Sequence, residues 1–160
     1  MSEEKKDTAA TGQADNDKRS FGLQRIYLKD VSFESPRSPD VFRSEWRPAV
    51  SINIGMQSRP LGDDTHEVVL TLNVEAKQED KVAMLIEVQQ AGIFTIAGFN
   101  DQERHQILGI LCPQNLFPFA REEIVNLSVK GGFPQLVLQP VNFERLYQQS
   151  LQQQPQAGEA

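Results

Sequence analysis

Four segments of the chain alternate apolar and polar side chains with a period of two, the mark of strands that bury one face. In residues 21–34 the odd positions are Phe21, Leu23, Arg25, Tyr27, Lys29, Val31 and Phe33, while the even positions end in Asp30, Ser32 and Glu34. Val50, Ile52, Ile54 and Met56 alternate with Ser51, Asn53 and Gly55 in the second segment. The third sets Val68, Leu70, Leu72, Val74 and Ala76 against Glu67, Val69, Thr71, Asn73, Glu75 and Lys77. The fourth sets Val82, Met84, Ile86 and Val88 against Ala83, Leu85, Glu87 and Gln89. Gln78-Glu79-Asp80-Lys81 is short and polar, so strands three and four form a hairpin; residues 58–66 form a looser one between strands two and three. Residues 35–48, with Pro36, Pro39 and Pro48, are a long connection. Three hairpin-linked strands and one long return give a Greek key, with spatial order 2-3-4-1.

Beyond Gly92 and Gly98 the period becomes helical. Ile107, Leu108, Ile110 and Leu111 form the apolar side of a helix starting near Asp101, which Pro113 should break or kink. A second helix restarts at Pro118 and stops at Gly131-Gly132. Residues 133–141 read as an extended connector, and Asn142 caps a last helix carrying Phe143, Leu146, Tyr147 and Leu151. The predicted architecture is α+β: a four-stranded antiparallel sheet with helices on one face. Its apolar face is wider than this helical material covers, which predicts an oligomer.

Composition trims the folded unit. Residues 1–20 contain no Val, Ile, Leu or aromatic side chain and read as a disordered tail; residues 21–153 form the domain, and 154–160 a flexible end. The N-terminus has no apolar stretch of a secretory signal, no run is long enough to span a bilayer, and Cys112 has no second cysteine to pair with. These features predict a cytoplasmic protein. A net charge of −6 with scattered cations disfavours nucleic acid as a partner.

The residues assemble no catalytic constellation, metal site or cofactor cradle. His66 and His105 lack companions at ligand spacing, Glu103 and His105 point apart on a helix, and Cys112 reads as a buried inert thiol. What stands out is the placement of acid. With strand one beside strand four, Asp30, Glu34 and Glu87 form one patch around Leu85, a flat surface suited to a basic partner. Aromatic residues also gather in irregular segments: Phe42, Trp46, Phe117, Phe119 and Phe133.

Ile26-Tyr27, Lys29-Asp30, Ser32-Phe33-Glu34, Glu87-Val88-Gln89-Gln90, Gly92-Ile93-Phe94, Ile96-Ala97-Gly98, Cys112-Pro113, Leu116-Phe117-Pro118, Phe133-Pro134-Gln135-Leu136 and Pro140-Val141-Asn142-Phe143 occur in the order that resembles the SecB protein-export chaperone family. The resemblance implies a non-enzymatic, ATP-independent homotetramer, a dimer of dimers, without cofactor or membrane insertion. It would hold unfolded secretory precursors and deliver them to the SecA translocation ATPase. Carried over by resemblance, Asp30, Glu34, Leu85 and Glu87 would bind SecA, and Ile86, Val88 and Gln90 would support assembly. Trp46, Phe119, Phe143 and Tyr147 would bind clients. The C-terminal end departs from the family's often acidic tails, being Gln-rich with only Glu159. Two other readings stand beside this one: a SecB-like chaperone of a toxin–antitoxin system, and a hotdog-type thioester enzyme using Glu103 and His105.

Overall fold

All four alternating segments are strands of one antiparallel sheet: β1 (Ser20–Glu34), β2 (Ala49–Gly62), β3 (Thr65–Gln78) and β4 (Lys81–Ala97), in the order β1-β4-β3-β2. This is the expected Greek key. The computed structural model describes residues 18–153, so residues 1–17 of the tail expected at 1–20, and the end expected at 154–160, lie outside the described residues. The boundary expected after residue 20 shifts slightly, since Ser20 already pairs with Ala97.

Three strand features differ from the sequence reading. First, β4 does not end near Gln89 but runs through Gly92 to Ala97. Gly92 is needed there: an added Cβ would come within 2.9 Å of Phe94 and 3.0 Å of Leu116. Second, the β2–β3 connection is tight. Asp63 and Asp64 both take positive φ (51° and 58°), the handedness that closes a two-residue hairpin, and the strands extend to meet them. Glu79 and Asp80 (53° and 59°) do the same between β3 and β4. Third, β1 does not keep one parity. Its register on β4 shifts between Leu23 and Arg25 and again between Leu28 and Asp30. Each shift inserts one extra residue. Arg25, Tyr27 and Lys29 therefore share the solvent side with Asp30, Ser32 and Glu34, while Phe21, Ile26, Val31 and Phe33 pack on the core.

The helices lie on the other side. Asn100 caps α1 (Asp101–Gln106) with a capping box: the Glu103 N–H donates to Asn100 Oδ1 at 2.8 Å, and the Asn100 N–H donates to the Glu103 carboxylate. The break expected at Pro113 is a π turn over Ile107–Leu111, running directly into α2 (Cys112–Lys130). The Cys112 N–H reaches back to the Ile107 carbonyl, so the widened turn accommodates the proline ring without ending the helix. Pro118 does not restart a helix either. It sits inside α2 on the exposed side, where water can satisfy the carbonyl it leaves without a donor. Gly131-Gly132 ends α2 as expected, an irregular connector follows, and the Arg145 N–H donates to Asn142 Oδ1 at the start of α3 (Phe143–Gln153).

The core is one contiguous cluster between the helices and the even-numbered side chains of β3 and β4, with Leu70, Leu72, Val88, Phe94, Leu116 and Ile124 fully enclosed. It thins toward the β2 edge, where Val50 and Ile52 stay exposed. Among the described residues no helix is long and apolar enough to cross a membrane.

Candidate functional site

Strand β4 sorts its residues by parity. Ile86, Val88 and Gln90 point inward and are buried, whereas Leu85, Glu87 and Gln89 point outward and are half-buried. Cross-strand register then builds the outer face. Glu34 pairs with Leu85, Ser32 with Glu87 and Asp30 with Gln89 on one side; Glu75 pairs with Leu85 and Asn73 with Glu87 on the other. Asp30, Glu34, Leu85 and Glu87 are thus brought together, and Glu75 joins them. Glu34, Glu75, Leu85 and Glu87 line a shallow depression of about 460 Å³ with Ser51 and Asn53 of β2.

Ile86, Val88 and Gln90 lie on the opposite side, under the helices. Each is at most 6% exposed, and the Gln90 amide donates to the Tyr27 carbonyl at 3.0 Å. Within one protomer these side chains present nothing to a partner. Any influence they have on assembly passes through the packing of the sheet against α2.

Sequence reading missed a second cluster on the outer face. Glu67, only 6% exposed, accepts hydrogen bonds from Tyr27 Oη, from Lys29 Nζ at 2.9 Å and from Arg59 Nε at 3.1 Å. Tyr27 pairs with the small Ala91, so its ring can cross β4 to reach Glu67 on β3. Beneath it Ala91 and Val69 are buried although they face outward. The hydrogen bonds from Tyr27 and then Lys29 hold the Glu67 carboxyl down to about 2, against the opposing cost of burial. Burial foremost, with the bond to Glu67, pushes the Tyr27 phenol up to about 12. One carboxylate therefore clasps β1, β2 and β3.

Glu67→Gln is expected to destabilise the fold by about 1.5–3 kcal/mol, the usual range for hydrogen bonds to a charged group. Because the Glu67 pKa is lowered from 4.5 to about 2 on folding, its contribution is present above pH 4.5 and fades as pH falls toward 2. Urea unfolding at pH 7 should separate the two proteins, and the gap should close between pH 4.5 and 2. A constant gap across that range would show that the clasp does not depend on ionised Glu67.

The aromatic residues carried over as client contacts do not share one place. Trp46 packs against Phe133 with the rings tilted by 47° (centroids 4.9 Å apart), and Phe133 also meets Phe42 at 5.2 Å and Phe33 at 6.5 Å. Phe143 is buried against Phe117, 5.8 Å away. Tyr147 packs on Gly109 of the π turn, where a Cβ would come within 2.5 Å of its ring, and its hydroxyl lies 2.6 Å from His105 Nδ1. Phe119 is 47% exposed on the outer side of α2, outside these clusters. Around Tyr147 an apolar groove of about 370 Å³ opens between β2, the π turn and α3, lined by Ile54, Met56, Leu108 and Leu146. The spacing of those residues read only as core.

Glu103 and His105 do not converge on a common site. Glu103 is engaged in the α1 cap and an ion pair with Arg19 at 3.4 Å, while His105 faces Tyr147. Cys112 is fully buried, and burial pushes its thiol up to about 12, far from a reactive thiolate.

The family model described as preprotein translocase subunit SecB matches residues 14–154. Curated relatives called protein-export protein SecB are similar over most of their length. That of Ectopseudomonas mendocina is 49% identical over 160 residues, covering 100% of this chain and 98% of the relative. The one from Halorhodospira halophila is 49% identical, covering 92% and 86%. That of Hahella chejuensis is 54% identical, covering 84% of each chain. Among solved structures, a Mycobacterium tuberculosis SecB-like chaperone in complex with a peptide from an antitoxin shares the fold. Its TM-score is 0.64 at 12% identity, covering 79% of this chain and 92% of that one.

Proposed function

The chain belongs to the SecB family of protein-export chaperones, and on that premise we propose that it acts in the cytoplasm as an ATP-independent homotetramer which holds unfolded secretory precursors and passes them to the SecA translocation ATPase. The observation that carries this reading is the division of one sheet into two chemistries. The outer face offers an acidic, shallow surface around Leu85, and the inner side offers apolar groove and aromatic clusters. A chaperone that must grip a client and dock on a receptor at once needs two such surfaces that do not overlap.

In this reading SecA meets Asp30, Glu34, Leu85 and Glu87, and clients meet Trp46, Phe119, Phe143 and Tyr147. Trp46 has its aromatic cluster and Tyr147 its groove, whereas Phe143 is buried and would act by shaping the site from behind. Exposed Val50 and Ile52, together with the free edges of β1 and β2, support assembly into the tetramer. Weak apolar contacts repeated over several subunits give the avidity that binding many sequences requires. The toxin–antitoxin alternative rests on fold likeness at 12% identity, against 49–54% identity to the export relatives.

The deciding experiment is refolding of a chemically denatured secretory precursor with the protein present and ATP absent. Refolding should slow in proportion to chaperone concentration, because a binder of unfolded chains withdraws them from the folding equilibrium. An unchanged refolding rate at saturating chaperone would sink the proposal.

A further inference from the structure

The outer sheet face carries opposite charge at its two ends. At one end lie Glu34, Glu75 and Glu87, with Lys77 paired to Glu75 at 3.4 Å, while Asp30 sits between the two ends opposite Gln89. At the other, Arg25 pairs with Ile93 on β4, which in turn pairs with Glu67 on β3, so Arg25 stands beside the clasp of Lys29, Arg59 and Glu67. Lys29 and Arg59 bond Glu67 there, Arg25 adds a third cation, and Asp30 follows Lys29 in the chain, so the cations outnumber the carboxylates. The Arg59 side chain is 67% exposed although its Nε is held by Glu67, so part of its guanidinium stays free to bond outward.

Glu87 and Ile93 are six residues apart on one strand, which puts the two ends roughly 20 Å from each other. Screening reaches only about 8 Å at physiological salt, so neither end cancels the other. Shallow depressions continue between them, lined by Thr71, Gln89 and Lys29 and then by Gln57, Ser58 and Arg59. A uniformly basic partner drawn to the acidic end would be repelled at the clasp.

We propose that Arg25, Lys29 and Arg59 form a second contact for the partner that docks on the acidic end, receiving an acidic patch of that same partner and so fixing which way round it lies. The inference rests on the SecA reading above and names what that reading lacks: acidic side chains on SecA roughly 20 Å from the basic ones. Opposite charges at fixed separation select one orientation and penalise its reverse.

The test is SecA affinity measured by calorimetry for the full chain carrying Arg59→Glu or Arg25→Glu, with Glu87→Lys in parallel and client holding as the folding control. Arg25 takes no part in the clasp, so its reversal leaves the Glu67 hydrogen bonds intact. Both reversals should weaken SecA binding about five- to tenfold and spare client holding. Unchanged or tighter SecA binding by both would overturn the proposal, even where Glu87→Lys shows the acidic end to be needed. Absence of SecA binding by the unaltered protein would instead remove the SecA reading, and this inference with it.

Discussion

Glu87→Lys is expected to lower SecA affinity at least tenfold while client holding stays near its original level. Glu87 stands between Ser32 and Asn73 on the outer face, with the Glu34–Leu85–Glu75 row beside it. A lysine there reverses the sign at the centre of the acidic patch, a change of two charge units. A tenfold loss needs only about 1.4 kcal/mol. One pair of unit charges 7 Å apart interacts by about 2 kcal/mol at an effective dielectric of 20. The apolar groove around Tyr147 lies on the other side of the sheet, which is why client holding should survive. Binding measured at two salt concentrations checks the cause: the original protein should lose SecA affinity with salt more steeply than the variant. Equal loss of client holding would mean that the sheet itself had been disturbed.

Leu116→Ala should cost about 3 kcal/mol of stability, within the 2–5 kcal/mol usual for truncating an enclosed leucine. Leu116 is 0% exposed, and its Cδ2 occupies the space that Gly92 leaves by having no side chain. Strand and helix approach closely at that point, so the neighbours have little freedom to close the void. Against the 5–15 kcal/mol typical of a domain, the loss is large. Urea unfolding of the two proteins reads it directly. Phe119→Ala gives the contrast: with its ring 47% exposed, stability should stay within about 0.5 kcal/mol. A similar cost at both positions would contradict the packing of α2 described above.

Much of the outer face was legible because burial of one sheet side imposes a period of two on β3 and most of β4, which the sequence of β2 repeats although that edge strand is largely exposed. Placing β1 beside β4 then brought Asp30 and Glu34 to Glu87. Parity failed at the start of β4, where the register shifts between Ala76 and Lys77 and Ala83 is buried, and in the middle of β1. There the two bulges at Gln24 and Lys29 put Arg25 and Tyr27 outside, against the odd-numbered set to which they first belong. A bulge leaves no mark in hydropathy. The Asp63-Asp64 turn was missed because neither residue carries glycine's obvious licence for positive φ, although aspartate tolerates it better than most. The π turn was hidden for a different reason. Pro113 announces a fault in the helix but not how the backbone absorbs it.

The Glu67 clasp was the least visible feature. On an alternating strand a glutamate at an outward position reads as solvated, and its partners Tyr27 and Lys29 come from 40 and 38 residues away. Only the register of three strands brings them together. The residues proposed for client contact were half legible: aromatic residues in irregular segments do cluster, as Trp46, Phe42 and Phe133 show, but sequence could not tell an enclosed Phe143 from an exposed Phe119.

The bulges of β1 also bear on how this strand can vary in length over evolution. Each places an extra residue opposite the span of one fewer on β4, so removing a bulged residue restores plain alternation and leaves every other side chain on its present face. Removing any other residue of the strand would turn everything on one side of the gap inside out. The two sites differ in what they hold. Lys29 is committed to Glu67, whereas Gln24 bonds only the hydroxyl of Thr95. Gln24 is therefore the position where a natural one-residue deletion can settle without disturbing either charged end of the sheet.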